Sequence, residues 1–116
     1  MDVNVYDMLG AFQKILRRKQ LKKPLSTRVA RQEISIKDQM RAVVDTLLLS
    51  GGRSVFSNLF PYENRSTLIV TFLSILELMK RQVITVEQNN NFEDLTVILQ
   101  QEEWQDERLE EIDEPN

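Results

Sequence analysis

The sequence predicts a mainly α-helical fold with a small β-hairpin, an α+β class. Three observations predict it. From Ser66 onward, Leu68, Phe72, Ile75, Leu76 and Met79 recur at three- and four-residue spacing and so stack on one helical face. Val83–Gln88 and Leu95–Gln100 then switch to period two and are rich in β-branched side chains, as two strands are. Upstream, Ile36, Met40, Val43, Val44 and Leu47 share the face of a second helix, Ile36–Leu49, with Lys37, Arg41 and Asp45 turned away.

A chain of 116 residues holds one domain plus extensions. Glu77 and Lys80 interrupt the longest apolar run, which falls short of the roughly 18 residues of a membrane span. Asp2, Asn4 and Asp7 stand where a secretory signal needs a basic and then an apolar start. The absence of cysteine excludes disulfides and thiolate metal sites, and the absence of histidine removes the commonest general base. No cofactor is expected. Charge is blocked along the chain: residues 1–32 carry +6, residues 33–101 carry −2 and residues 102–116 carry −7. Such blocks mark three regions with different tasks, at 1–32, 33–101 and 102–116.

Taken in order, Val5–Lys19 reads as an amphipathic helix. Val5, Met8, Leu9, Phe12, Ile15 and Leu16 line one face, and Lys14, Arg17 and Arg18 lie opposite. Asp2 or Asn4 can cap it, while Gly10 weakens it. Its stripe can pack on its own domain, dock into a partner's groove, or lie on an anionic membrane. A basic segment separates it from the only evident core, which favours the partner's groove. That segment, Leu21–Ile34, contains Pro24 and reads as an extended linker.

Ser35 caps the Ile36–Leu49 helix, with Asp38 three residues on, and Gly51 and Gly52 end it. Arg53–Phe60 reads as a short strand and one helical turn, stopped by Pro61, and Asn64 caps the long helix that follows. Six polar-rich residues, Asn89–Asp94, join the two final strands as a wide loop. Helix, short strand, short helix, long helix, strand, wing and strand is the winged-helix order, over residues 33–101. Residues 102–116 are dense in carboxylates and read as a disordered acidic tail, with Trp104 able to fold back.

No catalyst emerges. The pairs Glu102/Glu103 and Glu110/Glu111 sit in the acidic tail, away from any apolar pocket that would shift them. Ser50, Ser54 and Ser57 have no histidine to activate them. Many winged helices bind DNA, and that requires cations and amides along the long helix. Here Arg65, Lys80 and Arg81 stand at its ends, and Val70, Leu73 and Leu78 lie outside the main stripe beside Glu77. The wing sets Asn89, Asn90 and Asn91 beside Glu93 and Asp94. A protein-binding surface fits better than a base-reading one.

The run Thr71-Phe72-Leu73-Ser74-Ile75-Leu76-Glu77-Leu78, then Gln88, then Phe92 with Asp94, resembles the C-terminal winged helix of the bacterial segregation and condensation protein A (ScpA) family. ISIKDQM at Ile34–Met40 and YDMLGAFQKILRRK resemble that family as well. The family's N-terminal domain, which contacts the neck of an SMC subunit, has no counterpart here, so the chain reads as a C-terminal piece. The resemblance implies a kleisin subunit without catalysis, bridging an SMC ATPase head and a ScpB dimer in chromosome condensation and segregation. It implies a cytoplasmic, nucleoid-associated protein that meets DNA only through its complex, with no membrane and no small-molecule substrate. On it, Val70, Leu73, Leu76, Glu77 and Phe92 are expected to meet the SMC head. Val5, Met8, Leu9, Phe12, Ile15 and Leu16 are expected to meet ScpB. The alternative is an autonomous winged-helix DNA-binding regulator.

Overall fold

The computed structural model describes residues 3–22, 35–60, 64–88 and 95–100, with the backbone alone for 19–22. Asp2 as a cap, the linker with Pro24, Pro61, the Asn89–Asp94 wing and the acidic tail lie outside the described residues. Three helices, α1 (Val5–Lys22), α2 (Ile36–Leu49) and α3 (Arg65–Lys80), pack with strands β1 (Arg53–Val55), β2 (Ile84–Glu87) and β3 (Thr96–Leu99). A 3₁₀ turn, Phe56–Leu59, follows β1. The fold is mainly α with a small antiparallel sheet, in the winged-helix order. Helix α1 runs to Lys22, three residues beyond its expected end and into the segment read as linker.

Polar side chains start each helix. Asn4 Oδ1 accepts from Asp7 N at 2.9 Å and Asp7 Oδ2 accepts from Asn4 N at 3.4 Å, a reciprocal capping box. Ser35 Oγ accepts from Asp38 N at 2.9 Å, and Asn64 Oδ1 from Thr67 N at 2.9 Å. The ends of α2 and α3 share a geometry but not a residue type. Gly52 N donates to Leu47 O at 2.7 Å, with Gly51 left-handed at φ 76°. Val83 N donates to Leu78 O at 2.9 Å, with Gln82 in the same region at φ 63°. Both are Schellman closures, and only the first uses glycine.

β3 lies between β1 and β2 and pairs antiparallel with both. Arg53 faces Ile98 and Val55 faces Thr96 on one side, while Ile84 faces Leu99 and Val86 faces Val97 on the other. The period-two pattern turns Ile84, Val86, Val97 and Leu99 inward, where all four are buried. The expected hairpin is therefore two-thirds of a three-stranded sheet.

One core joins every described element except β1. Phe12 of α1 stacks on Phe72 of α3 with ring centroids 4.5 Å apart, and lies 5.3 Å from Phe60. Phe60 in turn meets Phe56 edge-on at 4.9 Å. Each such pair adds about 0.5–1.5 kcal/mol beyond area burial. Helix α3 meets α2 along a different line, the buried Thr67, Thr71 and Ser74. Gln39 Nε2 donates to Thr71 Oγ1 at 2.9 Å, and Ser74 Oγ lies 3.3 Å from the Ile36 carbonyl oxygen. The hydroxyls also donate back to their own helix, Thr71 to Thr67 O and Ser74 to Val70 O, each at 2.7 Å. Small hydroxyl residues let the two helices approach closely without leaving a polar group unpaired.

Two expectations are corrected. Leu78, placed outside the α3 stripe, is fully buried, because α2 and the sheet extend the covered arc of α3 to its side. Met8, Phe12 and Ile15, expected to face a partner, are buried in the chain's own core. Without α1 the stacked faces of Phe72 and Phe60 would open to water, and a domain of about 70 residues has little core to spare.

Candidate partner-binding surfaces

Burial of one arc of α3 leaves another open. At 100° per residue, Ile69 and Leu73 project one turn apart on the side away from the Thr67/Thr71/Ser74 seam. Leu73 is 44% exposed and Ile69 39% exposed. Leu76 flanks them on the side toward Phe72 and packs partly against the core. Glu77 and Val70 flank them on the other side, half-buried. Glu77 Oε2 accepts from Arg81 Nε at 3.1 Å, an ion pair one turn long at the foot of the strip. The exposed cations Arg65, one turn before Ile69, and Lys80, two turns after Leu73, stand at the two ends of the apolar strip.

Of the residues expected to meet the SMC head, Val70, Leu73, Leu76 and Glu77 share this side of α3. Phe92 lies outside the described residues. Sequence reasoning missed Ile69; its signal is its position four residues before Leu73. It also missed Leu48 and Leu49 at the end of α2, of which Leu49 is 90% exposed.

On α1 the six expected partner-facing residues divide. Met8, Phe12 and Ile15 are core, Leu16 is partly buried against it, and Val5 and Leu9 remain exposed. The opposite side of the helix carries Lys14, Arg17 and Arg18, all exposed. A shallow cavity of about 140 Å³ lies between α2 and the 3₁₀ turn, lined by Gln39, Ala42, Val43, Thr46, Asn58 and Leu59. These side chains include no titratable group. Among the described residues, no group of three or more acidic side chains is placed to hold a metal ion, and no helix is long and apolar enough to cross a membrane.

The model of the family described as segregation and condensation protein ScpA matches residues 1–100, spanning every described element. The chain belongs to this family. A segregation and condensation protein A from Bacillus licheniformis is 54% identical over 97 residues, 84% of this chain and 39% of that protein. Those of Bacillus cereus and Bacillus subtilis are 50% and 47% identical over the same length. The chain thus spans about two-fifths of the length of these ScpA relatives.

Proposed function

We propose that this chain is the head-binding portion of a kleisin, joining the ATPase head of an SMC subunit to a ScpB dimer in chromosome condensation and segregation. Family membership supports the role, and the relatives are named for segregation and condensation. The observation that carries the head-binding assignment is the exposed strip of Ile69 and Leu73 on an otherwise well-covered helix. Apolar side chains held along the middle of a rigid helix suit a protein partner better than a phosphate backbone. The complex works in the cytoplasm on the nucleoid and reaches DNA through its other subunits. The ScpB contact falls to the residues of α1 that stay outside the core, Val5 and Leu9, with Leu16 at their edge.

Pull-down with a purified SMC head and, separately, with ScpB tests both halves. Leu73→Arg removes head binding and leaves the circular dichroism spectrum and ScpB binding unchanged. Leu9→Glu does the reverse. Head binding that survives Leu73→Arg moves the site off this side of α3. A sequence-specific complex with duplex DNA at physiological salt replaces the kleisin role with that of a DNA-binding regulator.

A further inference from the structure

The strip on α3 carries charge at its ends as well as apolar side chains along its middle. At about 100° per residue, Lys80 projects on the line of Leu73, and Arg65 lies beside the line of Ile69. Both cations are exposed, and neither takes part in an ion pair among the described residues. Arg81 differs, because Glu77, the only acidic residue of α3, holds its guanidinium. The fold does not account for Arg65. It opens α3, where the helix dipole disfavours a cation, and no acidic residue of the first turn offsets it. Spacing along the axis is unequal. With a rise of about 1.5 Å per residue, Arg65 precedes Ile69 by about 6 Å and Lys80 follows Leu73 by about 10 Å.

Resting on the reading of this strip as the head-binding surface, we propose that the SMC head meets it with an apolar groove closed at each end by a carboxylate. One carboxylate meets Arg65 and the other meets Lys80, about 22 Å apart along α3. The two kinds of contact do different work. Apolar contact is non-directional, so Ile69 and Leu73 supply affinity but would seat as well one turn along, or with the helix reversed. The end cations remove that freedom. Because their distances from the apolar pair differ, a single direction and register brings both onto carboxylates. A guanidinium takes a carboxylate in a fixed two-pronged geometry, which makes Arg65 the sharper marker of the two. Net charge cannot replace these contacts. The chain carries −3 overall and offers no long-range attraction toward carboxylates. Within a Debye length of about 8 Å, the local cations decide the interaction.

Binding of the full chain to a purified SMC head, measured at several salt concentrations, tests the charged ends. Arg65→Gln/Lys80→Gln weakens binding roughly tenfold near physiological salt and flattens its salt dependence. The melting temperature of that variant stays the same or rises, as the dipole at Arg65 requires. Lys14→Gln/Arg17→Gln removes the same charge from α1 and leaves head binding unchanged. Register is read separately. The chain has no cysteine, so a cross-linker on Ser66→Cys reports from one place; it captures one head peptide in the parent and several when Arg65 and Lys80 are replaced. Head binding that survives Leu73→Arg removes the head-binding reading of the strip, and this proposal with it. If Leu73→Arg abolishes binding while the Arg65/Lys80 variant binds like the parent at every salt concentration, that reading stands and the charged ends are overturned. An equal loss in the α1 variant assigns the effect to net charge and overturns them too. So does a lowered melting temperature, which makes the two cations structural.

Discussion

The two sides of α3 invert the usual distribution of polarity. Toward α2 it buries Thr67, Thr71 and Ser74, while toward solvent it shows Ile69 and Leu73. Size explains the inner side: a hydroxyl residue that bonds back to its own helix is self-satisfied and small, so α2 can come close. Nothing inside the described fold explains the outer side, and there a partner is the economical reading. The comparison teaches that burial on this helix follows fit between neighbours rather than the polarity of a residue taken alone.

The largest expected effect concerns which apolar surface is internal. Phe12→Ala removes a ring stacked on Phe72 and costs about 3–5 kcal/mol in urea unfolding. A cost near zero would show α1 to be a loosely held appendage, and its stripe would then be free for a partner. Next come two adjacent residues on opposite sides of α3. Ser74→Leu forces a larger side chain between α2 and α3 and costs about 1–3 kcal/mol, whereas Leu73→Ser changes stability by roughly 0.5 kcal/mol or less. Equal responses in thermal melts would erase the distinction between seam and strip. The smallest effect sharpens the contrast between helix ends. Gln82→Gly relieves a left-handed side-chain residue and stabilises by about 1 kcal/mol, reduced by the freedom glycine gains in the unfolded chain. The same change in φ preference run backwards, Gly51→Gln, destabilises by a similar amount.

Local signals made much of this legible. Ser35 and the Gly51–Gly52 pair bracket α2 so tightly that its predicted and observed bounds coincide, and Asn64 caps α3 as its side chain suggests. The strands were readable from period two, although the pairing of β1 to β3 depends on residues more than forty positions apart. What sequence could not supply was the destination of an apolar face. The stripe on α1 shows that Met8, Phe12 and Ile15 want cover, but not that Phe60 and Phe72 provide it, and Pro24 made the helix look detached. Leu78 was misplaced for a related reason. A stripe counted from Phe72 alone ignores α2, which covers α3 on the Thr71 side and brings Leu78 in with it. Of the expected head-binding set, Val70, Leu73, Leu76 and Glu77 do come together, because residues three and four apart on a helix must.

The position of β3 at the centre of the sheet has a consequence for synthesis. Of the described strands it is the last to leave the ribosome, and both β1 and β2 find their only described neighbour in it. Leu95, Val97 and Leu99 also complete the buried cluster that the earlier elements can only begin. A nascent chain ending before Leu95 therefore holds helices whose apolar faces lack their lid, together with two strands bearing unsatisfied edges. Helical pairing of α2 with α3 can form early, since α-helices need no distant partner for their backbone bonds. Commitment to the whole fold must wait for the final few residues of the sheet, and until then exposed apolar surface is exposed to chaperones and to neighbouring chains alike.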